Sequence, residues 1–298
     1  MQLGAMLPLN DLGGEPAVVA DFAIGAEKMG YDYLLAADHV LGANVANRPD
    51  WGERNTSADL FHDPFVLFGF LAGITHRVGL ATGVLILAQR QAALVAKQAA
   101  SVDRLSGGRL RLGVGVGWNP VEFTALNEDF HNRGRRSVEQ IAVMQALWAQ
   151  DHVDFTGRWH RIEDAGINPR PKSGRIPVWF GGHVGATLER CATMGDGWIM
   201  LAHPAGQVAL DAFAELRRLT AAAGRDPAAM GIEVWVSPAE GTREDWRDEI
   251  RFWRDAGVTH ATLAGTYARN HHKRIEGKTL AAHLAALARY RDAVADLL

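Results

Sequence analysis

The stretch Leu110-Arg111-Leu112-Gly113-Val114-Gly115-Val116 is short and nearly continuous in apolar character, as expected of a parallel strand buried on both faces. Before it, Ala92–Leu105 reads as a helix stopped by Gly107-Gly108, because glycine enters the left-handed region past a helix end without steric cost. This unit recurs along the whole chain. Strand-like runs at Gln2–Leu7, Tyr33–Ala36, Val78–Thr82, Leu110–Val116, Val178–Phe180, Gly197–Leu201, Ile232–Val236 and Thr259–Ala264 alternate with longer patterns of helical period. Those patterns lie at Pro16–Met29, Pro64–Ile74, Ala92–Leu105, Arg135–Gln150, Gly185–Met194, Gln207–Ala223, Arg243–Ala256 and Thr279–Leu297, and Gly30, Gly195, Gly224 and Gly257 add further stop signals. Eight strand–helix units predict an α/β fold, a (β/α)8 TIM barrel, as one domain over residues 1–298.

Composition agrees with a globular chain and narrows its partners. With 48% hydrophobic and 22% charged residues it can bury a sizeable core without staples, and disorder is not expected. The formal charge of −3, with Lys and Arg scattered, gives no basic field for a phosphate backbone, so nucleic acid is not an expected partner. Charged residues interrupt every apolar run and the amino terminus has no secretory pattern, so the expectation is a cytoplasmic protein with no membrane contact. The single cysteine, Cys191, excludes an intrachain disulfide and multi-cysteine metal sites, and in its helix it reads as a small buried thiol.

Three stretches interrupt the repeat: Val40–His62 after the second strand, Gly117–Arg133 after the fourth and Asp151–Pro177 before the fifth. The first two follow strands, where barrels build their active sites, so they are expected to wall a pocket. The third reads as a small surface hairpin turning at Gly157.

Candidate site residues sit where strands end. Asp38-His39 ends the second strand, and histidine beside a carboxylate suits proton movement near neutral pH; Asp38 capping its loop is the plainer alternative. Thr82-Gly83-Val84 ends the third strand, with either a simple bulge or a backbone on which a flat ring rests. In Gly113-Val114-Gly115-Val116-Gly117-Trp118 the spacing fails the dinucleotide fingerprint; the glycines make room in a crowded barrel, or Trp118 stacks on a ring with Glu122 facing a substrate. Phe180-Gly181-Gly182-His183 leads into a helix amino terminus, a place for an anion or simply a tight turn. The local basic run Arg269-Asn270-His271-His272-Lys273-Arg274 is a solvated loop or an attractor for an acidic cofactor tail.

Taken together, these segments resemble the luciferase-like monooxygenase family, in particular its branch of coenzyme F420-dependent (deazaflavin) oxidoreductases. The resemblance rests on Thr82-Gly83-Val84, Lys97-Gln98-Ala99, Asp103-Arg104-Leu105-Ser106-Gly107-Gly108-Arg109, Gly113 through Trp118, Asp38-His39, Glu122-Phe123 and Pro177-Val178-Trp179-Phe180-Gly181-Gly182, and it covers nearly the whole chain. It implies a cis Gly83-Val84 peptide propping the ring, Asp38 hydrogen-bonded to that ring, and Thr82, Gly117, Trp118, Gly181, Gly182 and His183 around the cofactor. It implies further that His39 and Glu122 face the substrate and move its proton. Some deazaflavin enzymes carry glutamate where Trp118 stands, which argues against a sugar-phosphate dehydrogenase.

The implied activity is hydride transfer between F420 and a small organic substrate, with an FMN-dependent monooxygenase as the alternative. A metal-dependent barrel hydrolase is a weaker rival, since no paired histidine ligand spacing appears and no metal site is expected. A non-catalytic binding protein on the same scaffold is another. Relatives are often dimers, so a homodimer is among the expectations.

Overall fold

A computed structural model describes residues 1–266 and 271–298. The eight apolar runs become strands β1 (Gln2–Met6), β2 (Tyr33–Ala36), β3 (Gly79–Thr82), β4 (Leu110–Gly115), β5 (Val178–Gly181), β6 (Gly197–Met200), β7 (Gly231–Val236) and β8 (His260–Leu263). Each pairs in parallel with its successor, and β8 pairs back on β1, closing the barrel. Around it lie α1 (Pro16–Lys28), α2 (Pro64–Ile74), α3 (Ala92–Ser106), α4 (Arg133–Ala149), α5 (Gly185–Met194), α6 (Gln207–Ala222), α7 (Arg243–Asp255) and α8 (Leu280–Val294). The (β/α)8 reading holds, and its boundaries shift by a few residues at most.

The strands read as continuous apolar runs because both faces are covered. Leu3, Ala5, Leu34, Leu80, Leu112, Val178, Trp198 and Val234 face the helices in one large core. Their neighbours face inward, where Met6, Tyr33, Leu35, Ala81, Trp235 and Ala264 form a second cluster. Alternation across a strand produces the two layers. Glycines make the interior fit: a Cβ on Gly4 would lie 2.2 Å from the Tyr33 ring, and one on Gly197 or Gly231 would lie 2.4 or 2.3 Å from that of Trp179.

Several features were not anticipated. Leu85–Ile86 forms a two-residue strand that continues along β4 past the end of β3. Short helices occupy Leu9–Leu12 and Pro120–Ala125. The hairpin before β5 does turn at Gly157, but its strands are Val153–Thr156 and Arg161–Ala165, longer on the return side than expected. Its turn is pinned to α4 by Glu139, which accepts from the amides of Arg158, Trp159 and His160. Cys191 is buried, donates toward the Gly197 carbonyl, and has its thiol pushed up to about 12 by burial. Among the described residues no helix is long and apolar enough to cross a membrane.

Candidate active site

The floor of the barrel interior is a polar layer that the sequence reading did not foresee. Arg111 forms an ion pair with Glu233 at 2.5 Å, with its guanidinium over the rings of Tyr33 and Trp179 at 4.5 and 4.3 Å. Thr262 donates to Glu233 at 2.7 Å and meets the Tyr33 hydroxyl at 2.8 Å. Burial, aided by Arg111, drives the His260 pKa down to about 3, so this ring stays neutral. The ionic groups are thus paired and roofed by the inner apolar cluster.

Above that cluster, at the carboxyl ends of the strands, lies a cavity of about 370 Å³. Asp38 and His39 line it after β2, Gly83 and Val84 after β3, Trp118 after β4 and His183 after β5. Leu201 and Ala202, Trp235, His272 and, from the first insertion, Asn55 complete the wall with Ile86. Six of the expected site residues therefore converge on one space at the barrel mouth, where function concentrates in this architecture.

His39 and Glu122 come together as a pair. The His39 Nδ1 lies 3.2 Å from Glu122 Oε2, and the carboxylate also accepts from the amides of Val40 (2.8 Å) and Leu41 (3.2 Å) and from the Gln89 amide (3.1 Å). Glu122 is only 1% exposed, so it stands behind the histidine and does not face the cavity itself, unlike the expectation from resemblance. Burial opposes its charge, but the hydrogen bonds from His39 and Gln89 outweigh that and hold its carboxyl below the ordinary value. An ionised carboxylate can only accept, so Nδ1 carries a proton and Nε2 is left for a ligand. Phe61 and Trp118 meet the imidazole edge-on at 4.8 and 5.6 Å, and Trp51 packs on Trp118 at 5.6 Å.

Asp38 lines the cavity but its carboxylate is already engaged. Arg90 donates to Oδ1 at 2.7 Å and to Oδ2 at 3.3 Å, and the Ile86 amide donates to Oδ2 at 2.9 Å. Arg90 also reaches Asp63, which caps α2 through the Phe65 and Val66 amides. Burial works against the Arg90 charge, yet its two acidic partners raise the guanidinium pKa. Asp38 thereby fixes the segment after β3 instead of offering a free oxygen. Arg90 and Gln89 were missed; the only signal was a polar run, Gln89-Arg90-Gln91, breaking an apolar segment beyond a strand end.

The peptide between Gly83 and Val84 is cis. A Cβ on Gly83 would lie 2.5 Å from Leu35, and ones on Gly115 and Gly181 would lie 2.6 and 2.7 Å from the Val84 methyls. The two glycines are thus the seat of the Val84 side chain. Thr82 lies outside the cavity wall, fully buried, donating to the Gly113 carbonyl at 2.6 Å. Gly117, at φ +79°, packs where a Cβ would meet Ile86.

Next to Val84, the half-buried Gly181 ends β5 and Gly182-His183 is exposed ahead of α5, with Gly182 at φ +121° and its carbonyl accepting from the Trp198 indole at 2.7 Å. Arg190, one turn inside α5, bonds Thr187 at 3.3 Å and lies over Gly134 in the first turn of α4, with its Nε buried and without a hydrogen-bond partner. Arg133 stands nearby, and burial together with that neighbour lowers the Arg190 pKa. Two helix amino termini and two arginines therefore meet beside the glycine loop, an arrangement suited to an anion. Arg190 and Arg133 escaped the sequence reading because they lie on helices remote in sequence from each other.

Of the basic run after β8, Arg269 and Asn270 lie outside the described residues. Arg274 pairs with Asp11 and Lys273 with Glu240, while His272 is 5% exposed and lines the cavity. Burial and the adjacent His271 take its pKa down to about 4. Among the described residues no three His, Cys, Asp or Glu side chains form a group that could hold a metal ion.

The sequence model of the family described as luciferase-like monooxygenase matches residues 3–296. An uncharacterized protein of Mycobacterium tuberculosis is 32% identical over 244 residues, 80% of this chain and 81% of that protein. The pyrimidine monooxygenase RutA of a Bradyrhizobium species is 27% identical, across 89% of this chain and 79% of its own length. An F420-dependent secondary alcohol dehydrogenase, solved with an F420–acetone adduct, superposes with a TM-score of 0.79 over 100% of this chain and 99% of its own, at 17% identity.

Proposed function

The chain belongs to the luciferase-like monooxygenase family, and we propose that within it this protein is a coenzyme F420-dependent oxidoreductase acting on a small organic substrate. The observation that carries the reading is the His39–Glu122 pair at the barrel mouth, because oxidising an alcohol carbon or reducing a carbonyl carbon requires a proton to leave or reach its oxygen.

The residues present fit such a cofactor. The cavity is large and mainly apolar, as a flat ring system requires, and Val84 rises at its inner edge. A phosphate on the cofactor has the loop Gly181-Gly182-His183, the start of α5, and the guanidinium groups of Arg190 and Arg133 to receive it. When bound, the deazaflavin supplies the carbon that gives or takes a hydride.

The chain's own part is orientation and proton movement. Glu122 fixes the His39 tautomer so that Nε2 addresses the cavity, and Phe61 and Trp118 hold the plane of the ring. His39 then accepts a proton from a substrate hydroxyl, or returns one to a carbonyl oxygen. Gln89 and the Val40 and Leu41 amides keep Glu122 ionised throughout. Trp118, Ile86, Leu201 and Trp235 exclude water around the reacting atoms.

An FMN-dependent monooxygenase is the second reading, favoured by the monooxygenase name of the RutA relative. Parallel equilibrium titrations of the purified protein with F420 and with FMN, followed by tryptophan and cofactor fluorescence, separate them. The proposal expects micromolar or tighter binding of F420 and weak FMN binding. The reverse preference moves the assignment to the flavin reading, and binding of neither rejects both.

A further inference from the structure

We infer that the substrate of this cavity carries no net charge, an inference that rests on the proposed function for the division of the site between cofactor and substrate. The site has two electrostatic ends. Around Gly181-Gly182, Arg133 donates to the Gly117 and Phe130 carbonyls and Arg190 to the Thr187 hydroxyl, so their charge is available to an anion there. Around His39 the balance is reversed: the buried Glu122 carboxylate stands against His39, and Asp38 and Asp63 share the single guanidinium of Arg90, with burial raising the Asp38 pKa.

No lysine or arginine lines the cavity among the described residues. His272 has its pKa taken down by burial and by His271, so it offers no cation at neutral pH. An anionic group brought to His39 would leave water for apolar walls beside buried carboxylates, a costly transfer for which the described lining residues hold no lysine or arginine; the exposed Arg54 lies over the Trp118 ring at 5.5 Å.

A cation fares no better, because the two carboxylates beside the cavity have no free oxygen. Asp38 is taken up by Arg90 and the Ile86 amide, and Glu122 by His39, Gln89 and two backbone amides. What remains for a ligand is His39 Nε2, the uncharged amide of Asn55, the His183 ring at the glycine-loop end, and a wall of Val84, Ile86, Trp118, Leu201 and Trp235. That set recognises a hydroxyl or carbonyl group on an apolar body.

The test uses three molecules of one ring size: cyclohexanol, cyclohexanecarboxylate and cyclohexylammonium. Each is titrated at pH 7.5 into the protein with and without F420, following calorimetric heat and tryptophan fluorescence. The expected result is cyclohexanol binding at least roughly tenfold tighter than either ion in both forms, the scale set by one unpaired charge in a partly desolvated site. Asn55→Lys, which adds a cation to the wall, should move the alcohol-to-carboxylate ratio at least roughly tenfold toward the carboxylate. Equal or tighter binding of either ion by the unaltered protein overturns the inference, as does binding of none of the three at millimolar concentration. Failure of F420 to bind while the alcohol preference persists would reject the proposed cofactor and leave the charge selectivity of the cavity standing.

Discussion

Replacing Glu122 by glutamine asks whether the carboxylate sets the state of His39. In the native site one oxygen accepts from the Val40 and Leu41 amides, and the other accepts from His39 Nδ1 at 3.2 Å and Gln89 at 3.1 Å. A glutamine keeps its oxygen on the two backbone amides and turns its NH2 toward His39 and Gln89, both of them donors. His39 relieves the conflict by moving its proton to Nε2 and accepting at Nδ1, which removes the lone pair the cavity was given. Gln89, whose Oε1 has no hydrogen-bond partner in the native site, can turn its amide so that Oε1 accepts instead, and what is lost is the strength of bonds made to an ionised carboxylate, at about 1–3 kcal/mol. For a chain of this size that lowers Tm by roughly 2–8 °C at neutral pH. The Glu122 carboxyl is held below its ordinary value in the fold. Its ionised contacts therefore stabilise at every pH above the unfolded value, about 4.3, and are lost as pH falls through the folded one. The gap between native protein and Glu122→Gln is thus full at pH 7 and closes in acid. Long-range proton–nitrogen spectra of histidine-labelled protein report which ring nitrogen is protonated without needing a substrate. A His39 tautomer unchanged in Glu122→Gln, with no loss of Tm at pH 7, would refute the reasoning.

Arg190→Met should weaken a phosphate-bearing cofactor by about ten- to a hundredfold while leaving its dephosphorylated form within about threefold, measured by paired fluorescence titrations; equal losses for both would remove the phosphate role. Gly181→Ala puts a methyl 2.7 Å from Val84 and should cost about 1–3 kcal/mol in denaturant midpoint, with Val84→Ala recovering most of it. Glu233→Gln leaves Arg111 without its counter-charge at the floor of the barrel and should cost about 3–5 kcal/mol. The Arg111→Met, Glu233→Leu double variant should cost less than that single one; a larger loss would show the pair to be favourable in itself.

What could be read from sequence was what repeats locally. Eight strands announced themselves because parallel strands covered on both faces leave uninterrupted apolar runs, and the helix ends at Gly107 and Gly257 because both sit at positive φ. That Asp38, His39, Gly83, Val84, Trp118 and His183 would lie around one cavity was legible because strand ends at one face of a barrel converge. Glu122 was found, but its place behind His39 was not, since sequence cannot say which of two polar groups stands nearer the cavity. The Arg111–Glu233 pair was invisible: each is one polar residue in an apolar strand, and only closure of the barrel makes them neighbours. Leu85–Ile86 is too short to carry a period, and Trp235 and Leu201 read as ordinary strand residues until their direction is known.

The packed interior beneath the cavity has a kinetic consequence. Met6, Leu35, Ala81 and Ala264 are at most 4% exposed, and the ion-paired layer lies below them, so among the described residues the cavity is closed from below and is entered from the mouth. Two ligands sharing such a cavity must queue. Whichever rests against Val84 enters first and departs last, and the one nearer Trp118 and Asn55 gates its exit. Steady-state kinetics should then be compulsory-ordered, and excess outer ligand should slow turnover by trapping the inner one.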